Sequence, residues 1–133
     1  VWDGIEIRSC GFETNEHWLE QLKSGRPDAT LVIEKVVSYG MAVGAETFET
    51  VFWSGRFAQS FLGEHVRIDR KEIKLHICES ARATDSNIRQ ALIDRFGDPG
   101  KKASPGLLYP LKGHTWAAFA VAVTWMDKYG GKS

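Results

Sequence analysis

The segment ATLVIEKVV (29–37) is rich in β-branched residues and does not alternate between apolar and polar. A strand apolar on successive residues suits the middle of a sheet covered on both faces. This one feature directs the chain toward an α/β arrangement, because the two faces of such a strand must be covered by helices.

The flanking patterns fit that demand. Thr14 caps a helix with Trp18, Leu19 and Leu22 on its inner face, and Gly25 and Pro27 end it. Residues 44–62 read as a second helix. Its inner stripe is Phe48, Val51, Phe52, Gly55 and Leu62; Trp53, Phe57 and Phe61 form another face that needs separate cover, from a loop or a second subunit. Residues 66–68 read as a short strand, and 70–77 as a single helical turn or a loop. Thr84 opens a helix with Ile88, Leu92 and Phe96 inside and Gly97 as its stop. Residues 97–112 are rich in Gly, Pro and Lys, a long loop of the kind that is functional or disordered. The last helix, 113–128, has no formal charge from Gly113 to Trp125 and should be buried on most sides. A strand ending near Phe12, the helix opened by Thr14 and the 29–37 strand come in succession, which implies a crossover and a mixed sheet. No internal repeat or second domain is evident, so residues 1–133 read as a single domain.

The beginning of the sequence reads differently. Asp3-Gly4 is a two-residue hairpin signal, followed by alternation of Ile5, Ile7 and Ser9 with Glu6, Arg8 and Cys10 to about Phe12. A turn there needs a partner strand before it, and only Val1 and Trp2 precede it. The chain reads as lacking its first strand.

Charge narrows the partners. The net charge is zero, but residues 1–64 hold 5 basic and 10 acidic side chains and residues 65–133 hold 12 and 7. The second half thus carries a basic excess that suits phosphate. Two cysteines, Cys10 and Cys78, make no disulfide framework and point to a reducing, cytoplasmic setting. The apolar stretch 107–125 is broken by Pro110, Lys112 and His114, so it is no membrane span. There is no phosphate-binding glycine loop, dinucleotide fingerprint, zinc spacing or nucleophile elbow, and nothing in their spacing supports Cys10 with His17 as a nucleophile pair.

Few residues remain for chemistry. Glu34 lies within the apolar strand, near the end where open α/β sheets gather ligands. A carboxylate there either holds a divalent metal or pairs with a base such as Lys35 or Arg70. His114 opens the last helix, where a histidine ligates metal, moves a proton or simply caps. Arg67, Arg70, Lys71, Lys74, Arg82, Arg89, Lys101, Lys102 and Lys112 are phosphate-contact candidates or a solvated face. Asp85, in the first turn of its helix, complements the helix dipole or adds a weak metal ligand.

Taken in order, LVIEKV (31–36), KLHI (74–77) with SNIRQAL (86–92), and AAFAVAVT (117–124) resemble RuvC-type Holliday-junction resolvases, phage relatives included, of the RNase H-like superfamily. The likeness covers essentially the whole chain. It implies a three-layer α/β/α fold, a homodimer through the 44–62 helix with Trp53, Phe57 and Phe61 facing the second subunit, and cleavage of branched or four-way-junction DNA. It also implies a four-acid site binding two Mg²⁺ ions, with Mn²⁺ as a substitute. Glu34 falls on the family's strand glutamate, His114 on the acid or histidine that opens the last helix, and Lys74 near the basic residue that follows the fifth strand and contacts the scissile phosphate. Arg70, Lys71, Lys74, Arg82, Arg89 and Lys112 would bind nucleic acid. Two departures stand out: the family's first-strand aspartate has no counterpart, and Ala117 occupies the position of a second acid on the last helix. An alternative is therefore an RNase H-like domain that grips DNA without cutting it.

Overall fold

The computed structural model describes residues 1–24 and 28–130. Their elements are α1 (Asn15–Lys23), β1 (Thr30–Lys35), α2 (Ala45–Ser60), β2 (Glu64–Asp69), α3 (Arg70–Cys78), α4 (Asp85–Phe96), β3 (Gly100–Lys101), β4 (Ser104–Pro105) and α5 (Thr115–Trp125). A π-helical turn, Met126–Gly130, extends α5. The architecture is mixed α/β with small sheets. The chain divides into two compact units, Glu13–Arg70 on one hand and Val1–Phe12 with Lys71–Ser133 on the other. No described helix is long and apolar enough to cross a membrane.

In the Glu13–Arg70 unit, Thr14 caps α1 by accepting the His17 N–H. Leu19 is the buried residue of α1; Trp18, expected inside, is exposed. The residues expected to end this helix, Gly25 and Pro27, lie outside the described residues. β1 pairs in parallel with β2, and α2 is the crossover between them. The crossover expected between a strand at 5–12 and the 29–37 strand is not formed; it lies between β1 and β2 instead, and β2 is longer than the strand expected at 66–68. The covered-strand expectation does not hold either: every residue from Thr30 to Glu34 is half-buried. Among the described residues β1 has one neighbouring strand, so the run lies in a two-stranded sheet.

The two stripes of α2 are exchanged relative to expectation. Phe48, Val51, Phe52 and Leu62, assigned to the core, are exposed, whereas Trp53, Phe57 and Phe61 are half-buried. Both faces of the helix are aromatic, so hydropathy does not distinguish them. Burial does: Trp53 packs on half-buried Phe57 at 5.8 Å and lies 4.4 Å beneath the Arg56 guanidinium, while Phe52, 5.8 Å beneath the same guanidinium, stays exposed.

The other unit is built around α5. Trp116, Phe119, Ala120, Val121 and Val123 are buried, as the uncharged sequence requires. Thr124, also buried, satisfies its hydroxyl by donating to the Ala120 carbonyl at 2.8 Å. Ile88 and Leu92 of α4 and Ile73 of α3 join this core. Residues 70–77 form a full helix, α3, rather than a turn or loop; its buried Ile73 anchors it. Thr84 and Asn87 close a reciprocal capping box on α4, and Gly97 ends it at φ 99°.

The first twelve residues do not form the expected strand. Trp2 bridges Ile7 in antiparallel fashion, and the chain turns through residues 3–6 rather than 3–4. Asp3 organises this wider turn: Oδ1 accepts the N–H groups of Ile5 and Glu6, each at 2.8 Å, and Oδ2 accepts Arg8 Nε at 2.7 Å. The two backbone donors and Arg8 hold its carboxyl down at about 2. Trp2 then packs edge-on against Phe119 and Phe96, at 5.1 and 5.6 Å between rings.

Residues 97–112 are not a featureless loop. β3 and β4 form a short antiparallel hairpin, and Leu108 and Leu111 after it are buried.

Candidate functional site

Parallel pairing brings the carboxyl ends of β1 and β2 to one level. The register sets Glu34 beside Ile68 and Lys35 beside Asp69. α3 begins at Arg70, immediately after β2. One edge of the sheet thus gathers Glu34, Lys35, Asp69 and Arg70, at the position where open parallel sheets hold ligands. The Glu34 side chain keeps 34% of its exposure, and its Oε1 lies 3.6 Å from Arg70 Nη1. The base foreseen as a partner for Glu34 is therefore in place. Half-exposed, this pair stabilises the fold little and leaves the carboxylate accessible.

Asp69 was not singled out from sequence. The signal was present: VRID ends on an acid as LVIE does. Strand alternation explains why the two do not act as a pair. Laterally paired residues share a face, so Glu34 shares one with Ile68 and Asp69 shares the opposite one with Lys35.

The other predicted residues belong to the second unit. Lys71 is exposed and Lys74 half-buried on α3. Arg82 is exposed before α4; Arg89 is exposed on it, its guanidinium 4.7 Å over the Trp116 ring. Asp85 is the first residue of α4, the place where an acid complements the helix dipole. Lys112 is exposed, and its backbone N–H donates to Thr115 Oγ1 at 2.6 Å. His114 occupies the N-cap position of α5 without making a side-chain cap. Its exposed ring stacks at a tilt on Phe12, 5.8 Å between centroids. Ala117 is exposed one turn on.

Glu34 thus falls in one unit, and His114, Lys74 and Asp85 in the other. Among the described residues no three His, Cys, Asp or Glu side chains gather as a metal-binding group. A two-metal site needs several such donors around two ions.

A tighter cluster escaped sequence reading. Arg95 of α4 makes a two-pronged contact with Asp127, donating from Nη2 at 2.8 Å, and His76 Nε2 of α3 lies 2.8 Å from the same carboxylate. Arg95 foremost, with His76 adding to it, holds the Asp127 carboxyl at about 2. Nearby, Glu72 of α3 accepts Lys128 Nζ and the Tyr129 hydroxyl, each at 2.7 Å. These contacts fasten the end of α5 to α3 and α4. Sequence separations of 32 to 57 residues hide them from any local pattern.

No protein-family model matches this chain, and neither does any curated protein or solved structure. The likeness to RuvC-type resolvases rests on the order and spacing of the segments quoted above.

Proposed function

We propose that the protein is an RNase H-like endonuclease, of three-layer α/β/α type, that hydrolyses phosphodiester bonds in branched DNA such as four-way junctions. The observation that carries this reading is Glu34. It is an accessible carboxylate at the carboxyl end of a parallel strand, with the Arg70 guanidinium 3.6 Å away. The basic excess of residues 65–133 and the RuvC-like order of elements support it. Mg²⁺, replaceable by Mn²⁺, is the cofactor this resemblance implies. Lys74, Arg70, Lys71, Arg82, Arg89 and Lys112 are the phosphate-contact residues, and His114 the metal- or proton-handling residue, that this resemblance implies. Glu34→Gln, which preserves shape and removes charge, is expected to abolish junction cleavage while leaving folding and DNA affinity intact. Undiminished cleavage by that variant removes Glu34 from the mechanism.

A second reading is a domain that grips DNA without cutting it. The Glu34–Arg70 pair, Ala117 and the absence of a three-donor group among the described residues favour it. Mn²⁺ titration separates the two: binding that disappears in Glu34→Gln supports the nuclease, and DNA binding indifferent to metal supports the gripping domain.

A homodimer through α2 belongs to the same proposal. The face to be covered is now Phe48, Val51 and Phe52, exposed in the single chain. Sedimentation of Phe48→Ser/Phe52→Ser should show a monomer where the parent sediments as a dimer. A monomeric parent rejects the dimer.

A further inference from the structure

We infer that the β3–β4 hairpin is a preformed phosphate-backbone contact, with Lys101 and Lys102 at its tip gripping successive phosphates of a nucleic acid strand. The inference rests on the DNA-binding reading above and names a contact surface within it.

The hairpin is built for rigidity. Gly100 pairs with Pro105 and Lys101 with Ser104, leaving Lys102 and Ala103 as a two-residue turn. Asp98 Oδ1 accepts the Gly100 N–H at 2.8 Å, and the Pro99 carbonyl accepts the Gly106 N–H at 2.8 Å. At two points the strands approach too closely for a side chain. A Cβ on Gly100 would fall 2.4 Å from the Ser104 carbonyl oxygen, and one on Gly106 2.3 Å from that of Asp98. Gly100 also adopts φ +77°, which other residues resist. Just beyond the hairpin, Leu108 and Leu111 are buried and fix its base to the core.

A frame so tightly made ends in two exposed lysines. Neither forms an ion pair within 4 Å of a described acidic group, although Asp98 is close in sequence. Its carboxylate is used on the Gly100 backbone instead. Two exposed cations with no ion-pair partner among the described residues, held on a stiff support, bind a polyanion with little loss of freedom. Lysine is a point charge that contacts phosphate whatever the base sequence. The same unit presents Lys112 at the start of α5 and Arg89 over Trp116, so further cations accompany the hairpin.

The test is a salt series of duplex and four-way-junction DNA binding by fluorescence anisotropy. It uses the full chain, Lys101→Ala/Lys102→Ala, and the charge-keeping Lys101→Arg/Lys102→Arg. Each lost phosphate contact removes about one from the slope of log affinity against log salt. The alanine variant is expected to lose about two from that slope, equally on both DNAs. The arginine variant should keep the parent slope, and Gly100→Ala should weaken binding with all charges retained. A parent that binds with a steep slope, matched by the alanine variant, overturns the hairpin contact and leaves the nuclease reading standing. A parent with no salt-dependent DNA affinity overturns both. Binding of poly-glutamate that depends on the two lysines, with an unchanged DNA slope, gives the tip to an acidic protein partner and also overturns the proposal.

Discussion

The two units use their apolar residues in opposite ways. In Val1–Phe12 with Lys71–Ser133, apolar side chains from α3, α4, α5 and the segment after the hairpin converge, and Leu108, Leu92 and Val123 are almost wholly withdrawn from water. In Glu13–Arg70, Leu19 and Ile68 are the buried apolar residues, while Phe48, Val51, Phe52, Met41 and Leu62 stay exposed. The Glu13–Arg70 unit is not short of apolar residues. Its longest helix has aromatic residues on two faces, and one of them is uncovered. Burial depends on what an element meets, and composition alone does not supply that.

The largest expected effect tests the well-buried side. Leu92→Ala removes a side chain 1% exposed and should cost roughly 2–5 kcal/mol, read from the shift of the urea midpoint. A cost below about 1 kcal/mol would show that this core is loose and erase the contrast.

Next comes the ionic fastening of the same unit. Asp127 has a folded-state pKa of about 2 against 3.8 for the free group. A depressed carboxyl stabilises fully above its unfolded pKa, and that contribution disappears as pH falls through its folded value. Asp127→Asn should therefore lower the thermal midpoint at about pH 5, with the difference from the parent fading toward about pH 2. A gap that stays constant across this range would mean the carboxylate's charge is not what matters.

Thr84→Ala opens the capping box of α4 and should cost about 1 kcal/mol, with Thr84→Ser restoring most of it. Equal losses in both variants would place the effect outside the hydrogen bond. The smallest effect is expected in the other unit: Phe52→Ser, at a side chain 59% exposed, should change the stability of the dilute single chain by less than about 0.5 kcal/mol. A loss rivalling that of Leu92→Ala would show that the α2 face is covered after all.

The same contrast explains what could be read in advance. α5 was legible because an uncharged helix has no solvated face to offer, and α4 because Thr84 and Gly97 mark its ends. The crossover reads from sequence as lying between residues 5–12 and 29–37, whereas the parallel pair is β1 with β2, because residues 5–12 form no strand. α3 reads from sequence as no more than a turn or a loop because its nine residues, about two and a half turns, carry one buried anchor. Residues 5–12 carry the alternation of a strand, but alternation states only that a partner would suit them. Here a single bridge is formed and Asp3 bends the chain instead. At the candidate site, the placement of Glu34 followed from its strand and Arg70 was foreseen as its base. The Arg95–Asp127–His76 cluster joins three helices and has no local signature.

The packing of Trp2 on Phe119 has a consequence in time. The two rings sit 5.1 Å apart, yet more than a hundred residues separate them along the chain. Glu13–Arg70 is one continuous stretch that leaves and re-enters the other unit. On a ribosome making the chain from its amino end, that inserted stretch is complete before α5 exists. Residues 1–12, though made before that stretch, must wait for Phe119 to emerge before their aromatic anchor has a surface to meet. Closing so long a loop is slow compared with forming α4 or α5, so in refolding, too, the earliest residues of the sequence should be among the last to settle.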